Sequence, residues 1–153
     1  MEFYSLVAGM VYVQPSLLGW RPLVESWMQR RPPIFDDRHK QCIFAMCDWL
    51  LPPSLRLVTK FLRQPVPMQE QNLVASLLRL LESELDVVFS PELTAPPMIK
   101  PSDLEAALQN VFTFSLIWSL GASVDDVGRE EFDREIRKYM ENKCEYRITT
   151  VLN

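Results

Sequence analysis

His39 is the only histidine in the 153-residue chain, so a Ser-His-Asp or Cys-His pair would have to use it. Cys42 lies three residues later, and residues so spaced on a helix share a face. An imidazole beside a thiol is the arrangement that activates a cysteine nucleophile. Cys42 also opens an apolar face, which gives it a plain packing role. Cys47 would join His39 and Cys42 as a zinc ligand. Tetrahedral zinc takes four ligands, or three and a water, and Cys47 lies off the face that the other two share. Asp36-Asp37 and Asp125-Asp126 are adjacent carboxylates of the kind used in acid–base or metal chemistry. Neighbouring residues on a helix point apart, however, and both pairs stand where an aspartate caps a first turn. Trp20, Trp27, Trp49 and Trp118 would suit a ligand cage; beside Leu and Val at helical spacing they read as core. Arg129, in Gly128-Arg129-Glu130-Glu131-Phe132-Asp133, is the remaining candidate. Alone it is a surface helix charge, whereas near a helix start in a nucleotide-binding assembly an arginine can reach phosphate.

Other site patterns are missing from the sequence. It has no G-x-x-x-x-G-K-[ST] loop, no G-x-G-x-x-G, no zincin pattern and no nucleophile elbow. Composition narrows the class further. The apolar share of 48% and charged share of 24% suit a folded domain with a core. A net charge of -4 and a pI near 5.1 lack the basic footprint of nucleic-acid binding. Three cysteines without scaffold spacing read as reduced thiols. No run of continuous apolar residues reaches membrane-spanning length, and the N-terminus lacks the basic and apolar regions of a secretory signal.

Any site must be positioned by helices, and twelve prolines against four glycines divide the chain into helical blocks. Val11 and Val13, alternating with Tyr12, read as a short strand near the start. Leu17, Trp20, Leu23, Val24, Trp27 and Met28 form the stripe of a first helix, with Pro22 in its first turn. Asp36 or Asp37 caps a second helix carrying Ile43, Phe44, Met46, Cys47, Leu50 and Leu51. Pro52-Pro53 interrupts it, and Leu55, Leu57, Val58, Phe61 and Leu62 continue the apolar pattern. The expectation is a kinked helix, or two in tandem with the break near Ser54. Between about Pro67 and Phe89, Leu73, Leu77, Leu80, Leu81, Leu85 and Val88 fall on one face. Ser90 to Pro101 is a proline-rich connector. Ser102 and Glu105 make a capping box for a fourth helix. Its stretch from Val111 to Leu120 is apolar nearly all round, predicting a central position, and Gly121 is expected as its C′ residue. A last helix runs to about Asn142 with Phe132, Ile136, Tyr139 and Met140 as its stripe. Tyr146 to Leu152 has the composition of a strand.

Three blocks carry a family resemblance. Gly9-Met10-Val11-Tyr12 with Leu18-Gly19-Trp20-Arg21-Pro22-Leu23-Val24-Glu25-Ser26-Trp27 after it resembles the dynein heavy chain just past the sensor-1 strand of its second AAA+ module. Phe112-Thr113-Phe114-Ser115-Leu116-Ile117-Trp118-Ser119-Leu120-Gly121-Ala122 resembles the hydrophobic helix of the next lid. Arg129-Glu130-Glu131-Phe132-Asp133 resembles the pattern after that helix. The blocks keep family order and spacing across roughly residues 9 to 142. The short loop and the Gly128-Arg129 turn are more similar to axonemal than to cytoplasmic heavy chains.

The resemblance implies a mainly α fold: a helical bundle, the AAA+ small or lid subdomain, preceded by one residual β-strand. It implies residues 1–8 as an atypical start, 9–30 as a remnant of the large subdomain, 31–142 as the lid, and 143–153 as a tail toward the next module. It further implies a part of a microtubule motor ring that packs on a nucleotide-binding subdomain, with Arg129 near the nucleotide. ATP or ADP with Mg belongs to the parent assembly, and the chain itself is expected to hold no cofactor and to be no enzyme. The implied partners are neighbouring AAA+ subdomains and, through the parent complex, intermediate and light chains and microtubules, in the cytoplasm, cytoskeleton and ciliary or flagellar axoneme. Neither nucleic acid nor membrane is expected as a partner. The family's usual Ser-Arg-Cys before the Gly-Met pair is replaced here by Leu6-Val7-Ala8, and the Walker segments would lie upstream. A stand-alone helical interaction module is the alternative reading.

Overall fold

The computed structural model describes residues 18–32, 35–89 and 104–151, and these are helical throughout apart from their connections. The strand expected at Val11–Val13, the connector from Ser90 to Pro101 and the capping-box residue Ser102 lie outside the described residues. Five α-helices occur in order: α1 (Arg21–Gln29), α2 (Asp37–Arg56), α3 (Glu70–Phe89), α4 (Leu104–Ser119) and α5 (Asp126–Val151). A π turn, Leu57–Phe61, extends α2, and a 3₁₀ turn, Gly121–Ser123, comes after α4. The main packing is α3 on α4 and α2 on α4, with α1 against α3.

Helix α1 begins later than its apolar stripe predicts. Gly19 has a φ of 66°, a left-handed conformation that suits glycine, and it turns the chain just before the helix. Pro22 occupies the first turn, where its missing N–H costs nothing. Val24, Trp27 and Met28 then enter the common core. A polar clamp fixes this packing. Trp27 Nε1 donates to Glu82 Oε2 at 3.3 Å, and Arg31 Nη2 donates to Glu82 Oε1. The Arg31 guanidinium also lies over the Trp27 ring, 4.6 Å from its centroid. Arg31's hydrogen bond holds the Glu82 carboxyl below its ordinary range, against the opposing effect of its partial burial.

Asp36 caps α2, accepting from the His39 backbone N–H at 3.0 Å, and that bond is the main cause of its lowered pKa. The helix does not break at Ser54. It runs through Pro52 and Pro53 and changes register only at Leu57. Prolines lack the N–H that would serve the carbonyls of Asp48 and Trp49, yet both adopt helical φ readily. The adjustment occurs one turn later as an i→i+5 bond, Leu62 N–H to Leu57 O at 3.1 Å. The Thr59 hydroxyl donates to Leu55 O at 2.8 Å within the same turn. The extra residue shifts the phase of the rest of the apolar stripe. Phe61, which the periodicity places with Val58 in the core, is 68% exposed. Asp37–Phe61 is long and apolar enough, by length and composition, to cross a membrane. Here it serves as a core helix, burying Ile43, Met46, Cys47, Leu50, Leu51, Leu55 and Val58.

Helix α3 buries Leu73, Leu77, Leu81 and Leu85 of the predicted stripe together with Val74 and Leu78, while Leu80 is only partly buried and the side chain of Val88 lies outside the described residues. Helix α4 buries Leu108, Phe112, Ser115, Leu116 and Ser119. Asp125 caps α5, its Oδ1 accepting from Gly128 N–H at 2.9 Å. Asp125 N–H in turn donates to Arg63 O at 3.1 Å, tying α5 to the end of the π turn. Phe132 and Ile136 are buried, and the outer face carries spaced pairs such as Arg137 with Asp133 at 2.8 Å. The tail does not form the strand that its composition suggests, because α5 continues to Val151. Once a helix is nucleated, each added residue gains a bond, whereas a strand needs a partner.

Candidate functional site

The second half of α4 is more apolar than one interface can bury. Leu108, Phe112, Ser115, Leu116 and Ser119 recur at i, i+4, i+7, i+8 and i+11 and take up the inner face. Phe114, Ile117 and Trp118 recur at i, i+3 and i+4, a second stripe on the other side, with exposures of 45%, 42% and 62%. Their side chains cluster outside the core, with the Phe114 and Trp118 ring centroids 6.1 Å apart. The central position predicted for α4 therefore holds for one face only. The core role predicted for the tryptophans holds for Trp27, which is buried, while Trp20 and Trp49 pack partly buried against the core. Trp118 is the exception.

The chain turns beside this stripe. Ser119 Oγ donates to Ser115 O at 2.6 Å and Ser123 Oγ to Leu120 O at 2.6 Å, closing the end of α4 and the 3₁₀ turn. Gly121 is buried but does not have the positive φ expected of a C′ glycine. Its reason is contact: a Cβ there would stand 3.0 Å from Phe132 Cδ1 and 3.1 Å from Cε1. The absent side chain lets α5 approach, and the approach shapes a groove of about 280 Å³ lined by Ile117, Trp118, Gly121, Ala122, Arg129 and Phe132, with Asp133 at its edge.

Arg129 stands at the rim of that groove, in the first turn of α5. A cation at a helix N-terminus faces the positive end of the helix dipole, so this placement does not serve the helix. Asp126 compensates, with its Oδ1 3.1 Å from Arg129 Nη1. The Arg129 side chain remains 56% exposed and available to an anion.

The other sequence candidates take structural roles. His39 Nδ1 lies 2.9 Å from Asp36 Oδ1, and its ring centroid is 5.6 Å from that of Phe35. Cys47 is fully buried, and desolvation pushes its thiol up to about 12, away from any activated thiolate. Cys42 is partly buried at the edge of the core. Among the described residues, no group of His, Cys, Asp and Glu is placed to hold a metal ion. Asp36 and Asp125 are caps, as their positions predicted. Periodicity missed that Phe114, Ile117 and Trp118 form a surface of their own. The signal was present in the all-round apolar character of Val111 to Leu120, which exceeds what a single face requires.

Comparison with known proteins gives this geometry a family. The pattern of the dynein heavy chain AAA lid domain matches residues 43–151. The chain belongs to that family. The match runs from within α2 to the end of α5, and the groove at Trp118 and Arg129 lies inside it. The chain is 34% identical over 142 residues to dynein axonemal heavy chain 1 of Homo sapiens, covering 88% of its own length and 3% of that protein. It is 33% identical over 140 residues to dynein axonemal heavy chain 12 of Mus musculus, covering 90% of its own length and 4% of that protein. With dynein axonemal heavy chain 3 of Homo sapiens the figures are 34% over 131 residues, 82% and 3%. The chain thus spans a few per cent of the length of the curated relatives it matches. No solved structure matches it significantly.

Proposed function

We propose that this chain is the helical lid of the second AAA+ module of an axonemal-type dynein heavy chain. Its outer α4 stripe packs on the nucleotide-binding subdomain and couples ATP-driven changes there to the motor ring. The observation that carries the reading is the pair of opposed apolar faces on α4, one used in the lid's own core and one left outward at Phe114, Ile117 and Trp118. An exposed aromatic stripe of this kind marks a surface that another domain covers. In this reading residues 9–30 belong with the preceding large subdomain and 31–142 form the lid. The tail from 143 leads toward the next module.

In this reading the lid forms no nucleotide site by itself, which the lack of a phosphate-cradling loop in this sequence supports. ATP and its metal belong to the large subdomain, and hydrolysis with them. What this chain adds is one guanidinium at the groove rim: Arg129 is the residue we place toward the nucleotide phosphates. Microtubules and the intermediate and light chains are partners of the complete motor, which works in the axoneme.

The experiment is a pair of substitutions in a heavy chain carrying this lid. Trp118→Ser should uncouple the module, so that ATP-driven microtubule gliding slows severalfold while the lid remains folded. Arg129→Ala should weaken nucleotide binding at this module. Unchanged gliding with Trp118→Ser contradicts the packing role, and unchanged nucleotide affinity and hydrolysis with Arg129→Ala removes Arg129 from the nucleotide.

A further inference from the structure

The π turn builds a second outward surface on the lid, of different chemistry. From Trp49 to Gln69 the sequence contains Arg56, Lys60 and Arg63 and no acid, inside a chain whose net charge is -4. Among the described residues most other cations have a carboxylate partner: Arg21 with Asp48, Arg31 with Glu82, Arg38 with Glu105, Lys40 with Asp37, and Arg129, Arg134, Arg137 and Lys138 with acids on α5. Arg56, Lys60 and Arg63 have no carboxylate partner among the described residues. Lys60 lies four residues beyond Arg56, close to one turn of the widened helix. The Arg63 carbonyl is tied to the start of α5 by Asp125 N–H.

The same segment also exposes apolar side chains. Phe61 is turned out of the core by the register change, to 68% exposure, and the Arg56 guanidinium sits 5.8 Å from its ring centroid. Val66 and Met68, just beyond, are 71% and 37% exposed. Phe61 edges a groove of about 560 Å³ between α2 and α5 whose other walls include Pro52, Pro53, Leu57 and Tyr139. The one acid lining it, Glu135, is engaged by Lys138 at 2.5 Å. A π turn in an otherwise α-helical segment is frequently found at a functional site.

We propose that this corner is a docking site for an acidic protein segment that places an apolar side chain beside Phe61 and carboxylates against Arg56, Lys60 and Arg63. Charge complementarity selects the acid, and the proline- and aromatic-lined groove selects an apolar anchor. Three cations fall short of the cluster that holds a protein on an anionic membrane. They also stand within a net acidic chain, the opposite of a nucleic-acid footprint.

The test uses the full chain and fluorescent helical peptides that share one Leu/Phe face and differ only in carrying Glu, Gln or Lys on the opposite face. The Glu peptide should bind, more weakly at high salt, while the Gln and Lys peptides lose at least about tenfold in affinity. Phe61→Ser and the double change Arg56→Glu with Lys60→Glu should each reduce binding of the Glu peptide about tenfold, with the helical circular dichroism unchanged. All three positions are exposed, so folding is not at stake, and Phe61→Leu should retain binding. No binding of the Glu peptide overturns the proposal, as do equal binding by the Lys peptide and binding that Phe61→Ser leaves intact. Preference for phosphatidylserine vesicles or for single-stranded DNA over the Glu peptide would assign the corner to a different partner and overturn it equally.

Discussion

Trp118 and Phe61 are both large aromatics that helical periodicity assigns to the core, and both lie outside it. They reached the surface by different routes. Trp118 sits on a regular α-helix that carries two apolar stripes, and the inner one, through Phe112 and Leu116, fills the core. Phe61 sits on a single stripe whose phase is shifted by a five-residue π turn after a diproline. In the first case the excess is in the composition; in the second it is in the backbone. An apolar excess on a regular helix is built to be covered, which fits the wholly apolar stripe of α4. A residue turned out among cations that no described carboxylate pairs is built for a charged partner, which fits Arg56, Lys60 and Arg63.

The contrast is sharpest between the two faces of α4. Phe112→Ala should cost the chain about 3–5 kcal/mol in urea unfolding, because it leaves a cavity at the centre of the bundle. Trp118→Ser on the same helix should stay within about 0.5 kcal/mol in the isolated chain. A comparable loss for both would mean that Trp118 belongs to the core after all.

Between the two faces lies Gly121. Gly121→Ala should cost about 1–3 kcal/mol, since the new Cβ meets the Phe132 ring at 3.0 Å and forces α5 away. The Trp118 groove should widen with it, readable as faster quenching of tryptophan emission by acrylamide.

The clamp of α1 on α3 gives a smaller effect with a pH signature. Glu82→Gln should cost about 1 kcal/mol, less than a buried pair would, because Glu82 remains 41% exposed. Glu82 has a lowered pKa in the folded chain, so its contribution is complete above the ordinary glutamate value. It is lost as the pH falls through the lowered folded value. Acid unfolding of wild type should therefore be steeper in that range than that of the Gln variant. On the other side of the contrast, Phe61→Ser should leave stability within about 0.5 kcal/mol, as small a change as that expected for Trp118→Ser. A loss above about 1 kcal/mol would place Phe61 in packing that its exposure denies.

Much of this fold was legible because its helices obey simple chemistry. Asp36 and Asp125 capped where an aspartate precedes an apolar run, Pro22 fell in a first turn, and Leu73 to Leu85 made one stripe. The family was legible from three blocks together: Gly9 to Trp27, the α4 block and the Arg129 block. Three features were not. The diproline left open one kinked helix or two in tandem with the break near Ser54; the chain runs on as one helix, and the π turn at Leu57, one turn after the prolines, is what the pattern did not show. Gly121 carried a C-cap signature, and only the position of Phe132 reveals its contact role. The tail's β-branched residues suggested a strand, whereas helix propagation from α5 outweighs their modest propensity cost. Arg129 was singled out in the sequence by its place near a helix start, and its role toward nucleotide is the proposal made above. The aromatic stripe beside it was hidden, because periodicity counts apolar residues without saying which neighbour covers them.

The central claim is that the outer stripe of α4 is covered by the nucleotide-binding subdomain. It is tested most directly by placing a photo-crosslinking phenylalanine analogue at Trp118 in a heavy chain carrying this lid and mapping the crosslinked peptide. The expected product is a crosslink within the large subdomain of the same heavy chain, with a yield that changes between ATP and ADP. A probe that crosslinks only to solvent or to another polypeptide, unaffected by nucleotide, would contradict the claim.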